Sequence, residues 1–154
     1  DMGAPVFVTP GAALTEADIE LEPFTNEMFG ISGLRPVGWE ELQPGTFGRG
    51  ASALDQTVII QQATPPGFGA DTLLEILVGQ LGLDETPEQS GTYEDVNGRS
   101  WSLFASEFQS FPINMAFYED DAGLLLVILI SEADQTEALF NAAFTPALDA
   151  ITRD

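Results

Sequence analysis

Carboxylates are the reactive groups this sequence holds in quantity. It carries 25 acidic residues against four arginines, and it has no histidine, cysteine or lysine. Nucleophilic catalysis of the Ser-His, Cys-His or Ser-Lys kind needs partners that the chain lacks. A zinc site of the usual nitrogen and sulfur ligands is excluded on the same ground. The stretches "GISGL", residues 30–34, and "GASAL", residues 50–54, brush the Gly-x-Ser-x-Gly elbow without matching it. A carboxylate pair could run glycoside hydrolysis, but no aromatic-rich cleft pattern accompanies the acids. The residue types therefore predict a protein that is not an enzyme.

Oxygen ligands suit calcium, which takes roughly six to eight of them. Glu119, Asp120 and Asp121 stand together where a hairpin turn is expected, and they are the candidate calcium ligands. No other cofactor is expected. The D-x-D-x-D-G loop is absent, and acids in turns also serve solubility and backbone geometry. Glu94 with Asp95, and Asp84 with Glu85, read as solvated acidic faces. Arg35, Arg49 and Arg99 read as cations that each neutralise acidic neighbours on the surface. Trp39 and Trp101 read as core residues, since aromatics in strands are mostly buried.

A net charge of -21 repels nucleic acid and anionic membrane surfaces. The expected partner is another protein with a basic face, or a second copy of the chain. The longest apolar run, "GLLLVILI" at residues 123–130, falls far short of the roughly 20 residues that cross a bilayer, so no membrane span is expected in this chain. The first residue is Asp1, and the composition is acidic and free of cysteine and lysine. The expected location is extracellular or at the cell surface, after removal of a signal segment.

Elements must position these groups, and their order is legible. Residues 1–25 hold three prolines and little periodicity, and they read as an N-terminal arm or linker. Within it Pro5, Val6, Phe7 and Val8 could form one short strand and are the candidate partner-binding segment. Residues 26–154 read as a single domain. "EMFGISGL" predicts a strand with Met28, Ile31 and Leu34 apolar. Pro36 and Gly38 bend the chain, and Trp39 anchors it. Short strands follow at "TFGRGAS" and "QTVIIQQAT". Leu73, Leu74, Leu77 and Leu81 fall at helical spacing, with Asp71 or Thr72 to cap the start and Gly82 to end the helix.

A meander comes next. "GTYEDV" and "RSWSLFASEF" flank Asn97-Gly98, a two-residue hairpin signal. "PINMAFYE" leads through "DDAG" into "LLLVILI", which is apolar on both faces and so predicts a central, doubly covered strand. A closing helix is predicted from Ser131, with Asp134 completing a capping box. Phe140, Phe144, Leu148 and Ile151 form its stripe, and Pro146 should bend or split it. Strands, helix, meander and helix together predict an α+β fold: an antiparallel sheet with one helix on each face and an extended N-terminal arm.

This order resembles the PsbP/Mog1-like α-β-α sandwich, as found in exported bacterial accessory domains and lipoproteins. The resemblance rests on "PVGWEEL", similar to that group's Pro-x-Gly-Trp entry, and on "GTFGRG" and "VIIQQATPP" before the first helix. "NGRSWSLFASEF" and "FTPALDAI" also look like domains attached to bacterial serine hydrolases and α/β hydrolases. It spans residues 26–152 and implies a non-catalytic binding or assembly role. The metal and photosystem contacts of plant PsbP proteins do not transfer, because matching His and Lys positions are absent. The expected function is a secreted accessory domain acting by protein contact. The alternatives are a structural subunit of an extracellular assembly joined through its arm, and a calcium or small-ligand binder.

Overall fold

The computed structural model describes residues 19–49, 57–64, 67, 69–82, 87–108, 111–121, 123–132 and 135–153. The chain enters through β1 (Leu21–Asn26), β2 (Ile31–Pro36), β3 (Glu40–Gln43), β4 (Thr46–Gly48) and β5 (Val58–Thr64). Helix α1 (Ala70–Leu81) follows. The meander β6 (Gln89–Glu94), β7 (Ser100–Phe108), β8 (Phe111–Asp120) and β9 (Gly123–Ile130) comes next. A closing helical segment runs from Thr136 to Ala150 and ends on the short β10 (Thr152–Arg153).

Seven strands form one antiparallel sheet in the order β3-β4-β5-β9-β8-β7-β6. Strand β9 is its middle strand, and every residue from Gly123 to Leu129 is buried. The alternation of a strand divides that apolar run between two cores. Leu124, Leu126 and Ile128 join Ile113, Met115 and Phe117 of β8 beneath Leu74 of α1. Leu125, Val127 and Leu129 face the other way, against Trp101, Leu139, Phe144 and Leu148. The sheet thus carries a helix on each face, as the pattern predicts.

The second face holds more than a helix. Strands β1, β2 and β10 form a separate three-stranded sheet in which β2 lies between the other two. Ile31 and Ile151 of this layer are fully buried in the same core as Trp101 and Phe144. Gln61 of β5, itself fully buried, donates from Nε2 to the Leu34 carbonyl at 2.7 Å and ties the two sheets together. Residues 21–25, read as part of the arm, therefore belong to strand β1 of the folded body. Residues 1–18, which include Pro5, Val6, Phe7 and Val8, lie outside the described residues.

Local signals differ from expectation at four places. Residues 27–30 form a turn, so Met28 is 73% exposed and Ile31 is the first buried residue of β2. Helix α1 starts from Gly69 with no side-chain cap, and Asp71 and Thr72 lie inside its first turn. Its C-terminus ends as predicted on Gly82, whose φ of 70° is the left-handed conformation that closes helices. The β6–β7 loop is closed by Asp95 N–H on the Arg99 carbonyl and Gly98 N–H on the Asp95 carbonyl, which makes it longer than a two-residue turn.

The fourth difference concerns Pro146. Helix α2 (Thr136–Leu139) follows Ser131, whose hydroxyl meets Thr136 Oγ1 at 2.8 Å; Asp134, the expected capping-box partner, lies outside the described residues. The helix then widens into a π-helical turn, Phe140–Phe144, before resuming as α3 (Thr145–Ala150). Thr145 N–H donates five residues back, to the Phe140 carbonyl. The next donor in that ladder would be Pro146, which has none. The Thr145 hydroxyl lies 3.4 Å from the Asn141 carbonyl that Pro146 leaves over. The wide turn lets the chain absorb the proline without splitting.

Candidate functional site

The predicted calcium ligands do not converge. Glu119 and Asp120 are consecutive residues of β8, so their side chains leave opposite faces of the sheet. Asp121 sits in the turn that follows, and all three are exposed. Glu119 turns to the α1 face, where its carboxylate oxygens lie 3.8 and 3.9 Å from the position a Cβ on Gly69 would take. It thus places negative charge at the N-terminus of α1, where the helix dipole favours it. Among the described residues no three acidic side chains gather to hold a metal ion.

Of the acids expected on solvated faces, Asp84 and Glu85 lie outside the described residues, Glu94 is exposed, and Asp95 is not. Asp95 is buried, with 5% of its surface exposed. Its Oδ1 accepts the N–H groups of Asn97 and Arg99, each at 2.9 Å. Its Oδ2 accepts Arg99 Nε at 2.6 Å and Trp101 Nε1 at 2.9 Å. Burial alone would raise this carboxyl's pKa. The hydrogen bonds from Trp101, Arg99 and Asn97 outweigh burial and hold it below the usual aspartate range. The Arg99 guanidinium also lies over the rings of Trp101 and Tyr118 and donates to the Leu148 carbonyl at 2.9 Å.

Asp149 of α3 completes this cluster from the other side. Its carboxylate accepts the Tyr93 hydroxyl at 2.9 Å and the Val96 N–H at 3.1 Å, and its carbonyl accepts Asn97 Nδ2 at 2.9 Å. Burial, then the hydrogen bond to Asp149 and the charges of Asp149 and Asp95, push the Tyr93 hydroxyl up to about 12. These contacts clamp the β6–β7 hairpin to the closing helix. Every lone pair of Asp95 faces a donor of its own chain. The sequence signal for this cluster was Asp95 followed by Asn-Gly and Arg99, an Asx-type turn that bonds its own backbone.

The arginines follow separate courses. Arg99 forms the buried pair just described. Arg35 donates to the Trp39 carbonyl, and its guanidinium lies 4.6 Å from the centre of the Phe47 ring. Arg49 reaches Gln135 Oε1 at 2.5 Å and Thr57 Oγ1 at 3.1 Å. Trp39 and Trp101 are core residues, as expected.

Among the described residues an open surface lies between the β1–β2 turn and the β3–β4 hairpin. A wide, open hollow of about 500 Å³ is lined there by Asn26, Glu27 and Met28 on one side and Glu41, Leu42 and Pro44 on the other. Met28 is 73% and Leu42 57% exposed. Strand β3 carries all four of its residues exposed at the edge of the seven-stranded sheet. Glu41 spends one carboxylate oxygen on the Gly45 N–H at 3.2 Å, which fixes its position at the rim. Two apolar side chains and two acids thus share the wall of this hollow.

No family model matches this chain. No curated protein matches it either. Among solved structures it is similar to the solution structure of cyanobacterial PsbP (CyanoP) from Synechocystis sp. PCC 6803. The TM-score is 0.55 at 13% sequence identity, over 97% of this chain and 99% of that one. The chain thus has the PsbP-like α+β fold.

Proposed function

We propose that this chain is an exported, non-catalytic accessory domain that acts by contact with another protein through the hollow at Met28 and Leu42. The observation that carries the reading is the pairing of exposed Met28 and Leu42 with Glu27 and Glu41 around one open concavity. The PsbP-like fold supports an accessory role. The net charge of -21 supports a partner with a basic face. Among the described residues no helix is long and apolar enough to cross a membrane.

The test is affinity isolation from the cell-envelope fraction of the source organism, with the wild-type chain and a Met28→Lys, Leu42→Lys double variant. The expected result is a basic protein retained by the wild type alone and released as salt rises through about 0.15 M, where the Debye length is near 8 Å. Equal retention by both chains, or retention insensitive to salt, overturns the reading.

A structural-subunit role is the second reading. Among the described residues the seven-stranded sheet ends in two edge strands, β3 and β6, whose outer backbone groups form a template for an added strand. Pro5–Val8 of a neighbouring copy would supply it. Light scattering on the full chain and on a chain lacking residues 1–18 tests this: assembly lost on truncation supports it, and a monomeric full chain removes it.

A further inference from the structure

Helix α1 does not cover its whole face of the sheet. Twelve residues make a helix about 18 Å long, and Leu74 commits it to the β8–β9 side, above Ile113, Met115 and Phe117. On the β5 side a half-open cleft of about 250 Å³ remains. Leu73 and Leu77 of α1 form one wall, and Ile60, Leu126 and Ile128 of the sheet form the floor. The polar groups at the cleft are the amides of Gln43, Gln62 and Gln80 and the Thr46 hydroxyl. Gln62 Nε2 lies 3.3 Å from the Pro44 carbonyl, which positions that amide while leaving it a second N–H and its oxygen. Among the described residues no carboxylate and no arginine lines the cleft, in a chain with 25 acids.

We infer that this cleft is a binding site for a neutral, mainly apolar small molecule of about one ring, with one hydrogen-bonding end directed at the Gln62 amide. Size sets the scale: an apolar cavity of about 150 Å³ is known to admit benzene, and this one is larger. Charge sets the class. An anion would find no cation in these walls and would be repelled by the whole chain. A cation would lose its water and find no carboxylate to replace it. A neutral ring buries against Leu73, Leu77, Ile60 and Ile128, and a hydroxyl or amide on it meets a side-chain amide. Gln43 lines both this cleft and the hollow at Met28, but the ligand site does not rest on the protein-contact reading.

Toluene and p-cresol test this directly, since they share a shape and differ by one hydroxyl. The experiment is an NMR titration of the full chain, following methyl and backbone resonances, with benzoate as the charged control. The expected result is saturable shifts centred on Leu73, Leu77, Ile60 and Ile128 for both neutral probes, and none for benzoate. The hydroxyl should tighten p-cresol roughly three- to tenfold over toluene, the worth of one hydrogen bond. Gln62→Leu should remove that difference and leave toluene bound. Leu77→Phe, which fills the cleft, should abolish both while the chain stays folded. Shifts that are absent, that do not saturate, or that persist in a folded Leu77→Phe chain overturn the site. Equal binding of the two probes to the wild type overturns the assigned polar end.

Discussion

The indole N–H of Trp101 donates to Asp95 Oδ2 at 2.9 Å inside the protein, and the same oxygen takes Arg99 Nε at 2.6 Å. A carboxylate out of water is costly unless its lone pairs are filled, and here the β6–β7 loop and Trp101 of β7 fill them all. Removing Asp95 strands an indole N–H and a guanidinium at once. Asp95→Ala is expected to cost about 3–5 kcal/mol in denaturant unfolding. Asp95→Asn should cost less, because the amide oxygen still accepts. The same carboxyl makes stability depend on pH. Its folded pKa lies below its ordinary value of 3.8, so its contribution is complete above that value and is lost as pH falls through the lower folded one. Acid unfolding should shift to higher pH in Asp95→Asn only through the general loss of stability, with a shallower pH slope. An unchanged slope would show that other carboxylates carry the acid transition.

Tyr93 acts at the other end of the scale. Its folded pKa of about 12 exceeds the ordinary 10.0, so the fold prefers the protonated phenol. That contribution is fully present below pH 10 and is lost as pH rises through about 12. Ultraviolet titration of tyrosinate should show a late phase that disappears in Tyr93→Phe. Asp149→Asn should move that phase to lower pH, because it removes a negative charge beside the phenol.

Core substitutions separate the two helices. Phe144 is fully buried in the π turn, and Phe144→Ala should cost about 3–5 kcal/mol. Leu74→Ala, beneath α1, should cost about 2–5 kcal/mol. Leu77 is only half-buried beside the cleft, and Leu77→Ala should cost clearly less than Leu74→Ala in the same unfolding assay.

Gly45 has no substitute. Its φ is 77°, and a Cβ there would stand 2.2 Å from the Gln61 carbonyl oxygen. Its own carbonyl accepts the Gln61 N–H at 2.7 Å, so the backbone cannot retreat without losing that bond. Gly45→Ala should lower stability by roughly 2 kcal/mol or more, from strain alone. Gly38→Ala, with a similar φ of 85° but open space around it, should cost less.

Glu119 provides a test of its place at the α1 N-terminus. Glu119→Gln should cost about 0.3–1 kcal/mol at low ionic strength and less in salt, as a helix-dipole contact does. Millimolar calcium should leave the unfolding midpoint of the wild type in place, since these side chains point apart. A calcium-dependent rise that Asp120→Asn removes would contradict that geometry.

Much of this architecture was legible where burial dictates pattern. "GLLLVILI" has no polar face to give to water, and it is the middle strand. Leu125, Val127 and Leu129 went to one core and Leu124, Leu126 and Ile128 to the other, as alternation requires. The misplaced features share a different cause. Met28 looked like a strand residue because it is apolar, yet the turn at residues 27–30 takes it to the surface. Asp95 looked solvated because it is an acid beside another acid, and only the fold brings Trp101 and Arg99 onto it. Glu119 and Asp120 looked like a cluster because they are adjacent in sequence, whereas a strand separates neighbours to opposite faces. The hollow at Met28 and Leu42 was illegible for a related reason: its two sides come from different sheets, β1–β2 and β3–β4.

Strand β9 is the last strand of its sheet to leave a ribosome, yet it stands fourth among seven. Until it is made, β5 has no neighbour on one side, and the apolar floor formed with Ile59 and Ile60 stays open. Strands β6, β7 and β8 pair only with each other in the meantime. The two halves of the sheet are therefore separate apprentices joined by a single late arrival, and loop closure between β5 and β9 spans α1 and the whole meander. A chain stalled before Gly123 would hold two unfinished edges, the state in which sheets capture the wrong partner.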